Sequence, residues 1–343
     1  MNNKRDNSVG NPGSTVEGFF NRRRLLRVFF NNLVWLILLI ILALCSITIE
    51  GFFQLPIFVN IIYHTTFVGI LAVGLSFCII TRNMDLSVES TMAFAAMFAV
   101  WLSAHSGSAS GLELSTGMAL LAALGVGLVV GMINAFMVVS LQINSFIATL
   151  AMFISLRGVG LALTEGKSIF ELPAAFSAIA HTNFLGIPLL VIILVSVYIL
   201  FQFILGSTRF GRFIYLIGGS ATAPFRAGIQ VNKTLYQVFV LSGVLAGFAG
   251  WLLASRINGA TPSIGNGMLF EVFAAVVIGG VSLTGGVGRL SGVFAGALLL
   301  STISTAINII GMSPYYLQII RGGLLLIAVL LDTLKTHLRP YYD

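Results

Sequence analysis

The chain has 343 residues, is 57% hydrophobic and only 8% charged. A soluble domain carries about 25% charged residues, so the solvent for most of this surface is lipid. The net charge of +7 would suit nucleic acid or an anionic membrane surface, but six of the 18 cations precede residue 33 and no long basic face exists elsewhere, which excludes nucleic acid as a natural partner.

Residues 1–32 are polar and carry Lys4, Arg5, Arg22, Arg23, Arg24 and Arg27, which reads as a disordered, basic cytoplasmic tail. The apolar run that follows is as long as a span and has no small-residue cleavage site, so it reads as an anchor and not as a signal peptide. Ten apolar segments follow, at about 33–49, 58–80, 86–104, 117–140, 146–163, 187–206, 235–257, 271–284, 290–311 and 315–332. The expected fold is an all-α integral membrane protein, with a transmembrane domain over 33–333 and a cytoplasmic tail over 334–343. Segment 271–284 is too short to span comfortably at about 1.5 Å per residue, and is either re-entrant, a half-helix or a span that begins earlier. Cys45 and Cys78 both lie inside apolar runs and make no disulfide framework.

Ten segments with the N-terminus inside place 14 cations in inside loops and tails and only Lys167 in an outside loop. That asymmetry predicts both termini inside. Five segments, a long basic loop and five more segments suggest two inverted five-segment repeats. Gly127 and Gly131, Gly243 and Gly247, and Gly292 and Gly296 form G-x-x-x-G pairs, which serve close helix packing or a hinge. All 11 acidic residues fall in tails, loops or segment ends. Carriers driven by protons or cations usually hold carboxylates within the membrane, so an external energy source is expected. No phosphate-binding G-x-x-x-x-G-K-[ST] motif is present, so if energy is needed a partner must supply it.

The inside loop 207–234 is the longest polar stretch. Ala221 to Ala227 reads as a short helix with Ser220 as N-cap, Pro224 in the first turn and Gly228 beyond the end. It is either a docking knob for a cytoplasmic partner or an ordinary interfacial helix that snorkels Arg226 and Lys233. Asp85 and Ser87 either cap the following span or line a path. Asn60, Asn134, Gln142, Asn144, Arg157, Gln237, Asn308, Gln318 and Arg321 are polar residues in or near spans. Arg157 and Arg321 have no local partner in the sequence. Of these, Asn134, Asn144, Arg157 and Asn308 are the candidates for a translocation path.

Three stretches resemble the permeases of bacterial ABC importers for simple sugars (the ribose, xylose, arabinose, rhamnose and autoinducer-2 branch). Residues 81–90, TRNMDLSVES, resemble the family's D-L-S-V-G-S signature through Asp85, Leu86, Ser87 and Ser90. Ala223, Pro224, Phe225, Arg226, Ala227, Gly228 and Ile229 resemble its cytoplasmic coupling segment. Residues 273–288 resemble its A-A-V-V-[IL]-G-G-x-S-L-x-G-G-x-G block, with Gly279, Gly280, Gly285 and Gly286 in register. Glu89 departs from the family's glycine, and Pro224-Phe225 from its small and polar pair. The resemblance implies a permease with no cofactor of its own, ATP and Mg being bound by a separate ATP-binding subunit. It also implies a second permease copy or paralogue and a periplasmic sugar-binding protein. A secondary carrier or facilitator is the alternative. A membrane enzyme finds no nucleophile–base set near Glu89, Ser87 and Ser90.

Overall fold

A computed structural model describes residues 32–105, 110, 112–170, 172–220 and 222–338. Among the described residues, apolar helices overlap the stretches read from the sequence. They are α1 (Asn32–Thr48), α2 (Leu55–Ile80), α3 (Val88–Ser103), α4 (Thr116–Ala135), α5 (Ser145–Leu163), α7 (Leu189–Ser207), α10 (Val231–Ile257), α11 (Met268–Ile278), α12 (Leu290–Ile310) and α13 (Pro314–Leu338). α4 runs into a π-helical turn at Phe136–Ser140. Six of these, α2, α4, α5, α7, α10 and α12, are long and apolar enough to cross a bilayer. Most of the expected basic tail, up to residue 31, lies outside the described residues. The expected boundary at 333 falls inside α13, which continues to Leu338.

The remaining elements are short. α6 (Ala174–His181) leads into a hairpin of β1 (Asn183–Phe184) and β2 (Ile187–Pro188). Leu185 and Gly186 turn it with φ of 51° and 80°, a pair of positive angles that suits the twist of a two-residue hairpin. On the opposite side of the chain order, α8 (Arg209–Gly219) and α9 (Ala223–Arg226) fill the long basic loop.

The bundle is organised on α2 and α10, which pack against each other. α10 also packs on α4 and α3, and α2 on α12 and α11. α5 packs on α3 and α4, while α13 packs on α11. When α2, α3, α4 and α5 are paired with α10, α11, α12 and α13, the contacts of α10 with α4 and α3 match those of α2 with α12 and α11, and α3 with α5 matches α11 with α13, while the α4–α5 contact has no match of similar extent between α12 and α13 among the described residues. Glycine makes the closest crossings possible. A Cβ on Gly127 would lie 2.1 Å from the Gly243 carbonyl oxygen, and one on Gly243 would lie 2.2 Å from that of Gly127. Gly292 and Gly296 sit the same way on Gly279 and Ala275, at 2.1 and 2.3 Å. The G-x-x-x-G pairs therefore serve close helix packing.

Candidate functional site

α3 and α11, at 16 and 11 residues, are the two short apolar helices inside the bundle. Each carries a glutamate in its first turn, Glu89 and Glu271, where the helix dipole favours an anion. Both are buried, at 1% and 2% exposure. Arg157 of α5 donates to Glu89 Oε1, and the amide of Leu269 at the start of α11 donates to Glu89 Oε2 at 2.7 Å. Arg157 also donates to the Ile264 carbonyl at 3.1 Å. Arg321 of α13 donates through Nε to Glu271 Oε1 at 2.6 Å, and Ser304 of α12 donates to the same oxygen at 2.8 Å. Glu271 Oε2 has no hydrogen-bond partner among the described residues and faces His64 Nε2 at 3.6 Å.

Arg157 and Arg321, which have no local partner in sequence, pair with glutamates 68 and 50 residues away. Glu89 and Glu271 stand near helix starts, but those starts lie deep in the bundle. His64 beside Glu271 is the tenth residue of α2, about 14 Å along its axis. A short helix that begins inside the bundle turns a terminal carboxylate into a central one.

Asp85 braces the turn that leads into α3 and ties it across the core, although α3 has no side-chain cap hydrogen bond. Its Oδ1 accepts from the Ser87 amide at 3.1 Å and the Ser87 hydroxyl at 2.6 Å, and its Oδ2 from Ser242 of α10 at 2.8 Å. Asn134 of α4 donates to the Ser87 hydroxyl at 2.8 Å, so it lies in a buried helix junction. Leu86 and Ser90 are buried in the same turn, the Leu86 amide donating to Thr149 Oγ1 at 3.0 Å. Asn144 is the exposed N-cap of α5, its side-chain Oδ1 accepting from the amides of Phe146 and Ile147. Asn308 is exposed at the end of α12.

A cavity of about 560 Å³ opens between α2, α10, α13 and the loop before α11. Its polar lining comes chiefly from Asn60, Tyr63, His64, Arg256, Asn266 and Arg321. Arg256 lies 4.7 Å over the Tyr63 ring and donates toward His181 Nε2 at 3.2 Å. Amide, phenol, imidazole and guanidinium groups on open space suit a small hydroxylated solute. Sequence reading singled out Asn60 and Arg321 but missed the others. The loop that carries Asn266 lies far from α2 in sequence and only folding joins them.

At the other end, α9 is one turn long, with Thr222 at its N-cap position. The expected helix over 221–227 is thus shorter, and Ala221 lies outside the described residues. The Ser220 hydroxyl still accepts from the amides of Thr222 and Ala223, at 3.3 and 3.2 Å. Gly228 follows with φ of 65°, as a helix stop requires. Pro224 is buried, whereas Phe225, Arg226 and Ala227 are exposed and Phe225 is 73% so. Ile229 is buried again. The glycine-rich block seats this end on the bundle. The Gly286 amide donates to the Ile80 carbonyl at 2.9 Å. A Cβ on Gly285 or Gly286 would run into Arg82 or Gly219. Gly279 abuts α12, and Gly280 turns the chain at φ of 90°. Tyr215 of α8 donates to the Gly288 carbonyl at 2.7 Å, and burial pushes its phenol above the usual range against the opposing pull of Arg289. On the loop after α5, Lys167 holds the Glu165 carboxyl below its ordinary value.

Six helices long and apolar enough to cross a bilayer, buried ion pairs between them and a polar cavity suit a membrane transport subunit. The chain belongs to the family described as "Branched-chain amino acid transport system / permease component", whose model matches residues 57–329. It is 37% identical to the ribose import permease protein RbsC of Escherichia coli K12 over 270 residues, 78% of this chain and 82% of the relative. It is 34% identical to the L-arabinose transport system permease protein AraH of the same organism over 275 residues, 78% of this chain and 79% of the relative. An L-arabinose ABC transporter permease protein AraH of Azospirillum brasilense is 33% identical over 304 residues, 89% of this chain and 88% of the relative. The chain is therefore a multi-pass inner-membrane permease subunit of an ABC importer, a transport component and not an enzyme.

Proposed function

We propose that this permease carries a pentose or a closely related sugar from the periplasm to the cytoplasm. The observation that supports the reading is the cavity at Asn60, Tyr63, His64 and Asn266, in a chain whose relatives include ribose and arabinose permeases. Hydroxyl-rich solutes need both donors and acceptors, and these side chains offer both. A separate ATP-binding subunit supplies ATP and Mg, a periplasmic binding protein delivers the sugar, and a second permease copy or paralogue completes the pathway. The α8–α9 end faces the cytoplasm in this reading, with Ala223–Ile229 as the segment that receives force. The exposed Phe225 and Arg226 are its contact residues.

Reconstitution of the permease with its ATP-binding subunit and binding protein tests this. Labelled ribose or arabinose should accumulate in proteoliposomes only with ATP. Uptake by the permease alone, down a gradient, would favour a facilitator and overturn the importer reading.

A further inference from the structure

Two features of the bundle recur together in both halves. Arg157 in α5 and Arg321 in α13 are each bonded to a buried glutamate in the first turn of a short helix. Each arginine is followed at once by glycine, Gly158 in α5 and the pair Gly322-Gly323 in α13. Among the described residues, nothing lies within 4 Å of where a Cβ on any of these three glycines would stand. They differ in this from Gly127, Gly243, Gly292 and Gly296, whose carbonyl neighbours leave no room for a side chain. A glycine inside a helix costs about 1 kcal/mol relative to alanine. Packing explains that cost at the helix crossings and does not explain it at 158, 322 and 323.

The arginines themselves are firmly held. Arg157 reaches Glu89 and the carbonyls of Pro262 and Ile264, and Glu89 in turn accepts from the Leu269 amide. Glu271 accepts from both Arg321 and Ser304. Removing one partner from a buried pair of this kind is strongly unfavourable, so these bonds act as fixed points. Meanwhile α5 and α13 are the outer helices of their halves, α5 packing on α3 and α4 and α13 on α11. A helix pinned at one residue and softened at the next bends there.

We propose that the Glu89–Arg157 and Glu271–Arg321 pairs are matched anchors, and that Gly158 and Gly322-Gly323 are the flexing points about which α5 and α13 bend as the permease changes access. The four charged residues are positioning residues, since they act through the helices they hold. The inference rests on the importer reading.

The test is Gly158→Ala alone, Gly322→Ala with Gly323→Ala, and all three together, in the full complex with its ATP-binding subunit and binding protein. Alanine fits each site, so every variant should insert, keep its oligomeric state and melt at or above the wild-type temperature. ATP-driven uptake of ribose or arabinose should nonetheless fall by about tenfold or more in the triple variant, because a conformational step limits turnover. Uptake within about twofold of wild type would overturn the proposal. So would a loss of uptake that comes with a loss of oligomer, which would make the glycines a packing face for another subunit. A wild-type complex without ATP-driven uptake would instead sink the importer reading.

Discussion

Arg157 is only 18% exposed and sits against a glutamate side chain that is 2% exposed. Truncating either partner leaves a buried charge unmatched, which costs about 3–5 kcal/mol. Arg157→Ala should therefore unfold in detergent at markedly lower temperature than wild type, and Arg157→Lys should recover part of the loss by restoring the charge without the fork. Denaturation curves in mild detergent decide it, and an Arg157→Ala protein as stable as wild type would show that the pair holds nothing. The sequence could not disclose this pairing. Glu89 looked like an irregular replacement for a small residue, and its partners stand 68 and 180 residues away. Only the start of α3 deep within the bundle brings them together.

Tyr215 ties α8 to the loop before α12 through the Gly288 carbonyl. Because burial raises its phenol above the ordinary value, the folded state holds the proton more tightly than the unfolded one. The stability from this group is complete below the unfolded value of about 10 and is lost as pH rises through the folded one. Tyr215→Phe should flatten the alkaline limb of the stability profile and cost about 1 kcal/mol at neutral pH, the net worth of one hydrogen bond.

The helix crossings show what a linear reading can and cannot recover at the level of elements. The spacing of Gly127, Gly131, Gly243 and Gly247 was visible as a packing signal, and α4 meets α10 on those residues. The same reasoning predicts that Gly243→Ala is far worse than Gly158→Ala. A methyl at 243 would lie 2.2 Å from a carbonyl oxygen, whereas at 158 it meets nothing. Overpacking costs about 1–3 kcal/mol and more when backbone must move, so Gly243→Ala should lower folded yield while Gly158→Ala should not. α8 escaped the reading, although its signal was present. Phe210, Ile214 and Ile217 recur at helical spacing opposite Arg209 and Arg212, but glycines and cations interrupt that pattern and the loop reads as a polar stretch. The cavity was illegible for another reason: its walls come from α2, α10, α13 and a connecting loop, and no local pattern joins elements so far apart.

For the molecule as a whole, the distribution of cations carries an orientation that the packing alone does not. With the α8–α9 end in the cytoplasm, Arg209, Arg212, Arg226 and Lys233 sit where anionic lipid and the positive-inside bias favour them. The hairpin with Leu185, 88% exposed, then faces the periplasm. The two native cysteines leave room for a direct test, since Cys78 is fully buried and Cys45 can be replaced. Single cysteines at Phe225 and Leu185 should label from opposite sides with a membrane-impermeant maleimide. Phe225→Cys should react in inverted vesicles and Leu185→Cys in intact spheroplasts. If Phe225→Cys labelled from outside, the coupling segment could not meet a cytoplasmic ATPase, and the direction of import would have to be reassigned. If the sides come out as expected, adding the ATP-binding subunit should protect Phe225→Cys and leave Leu185→Cys reactive, because only a docked partner would cover an aromatic ring that the permease itself leaves 73% exposed.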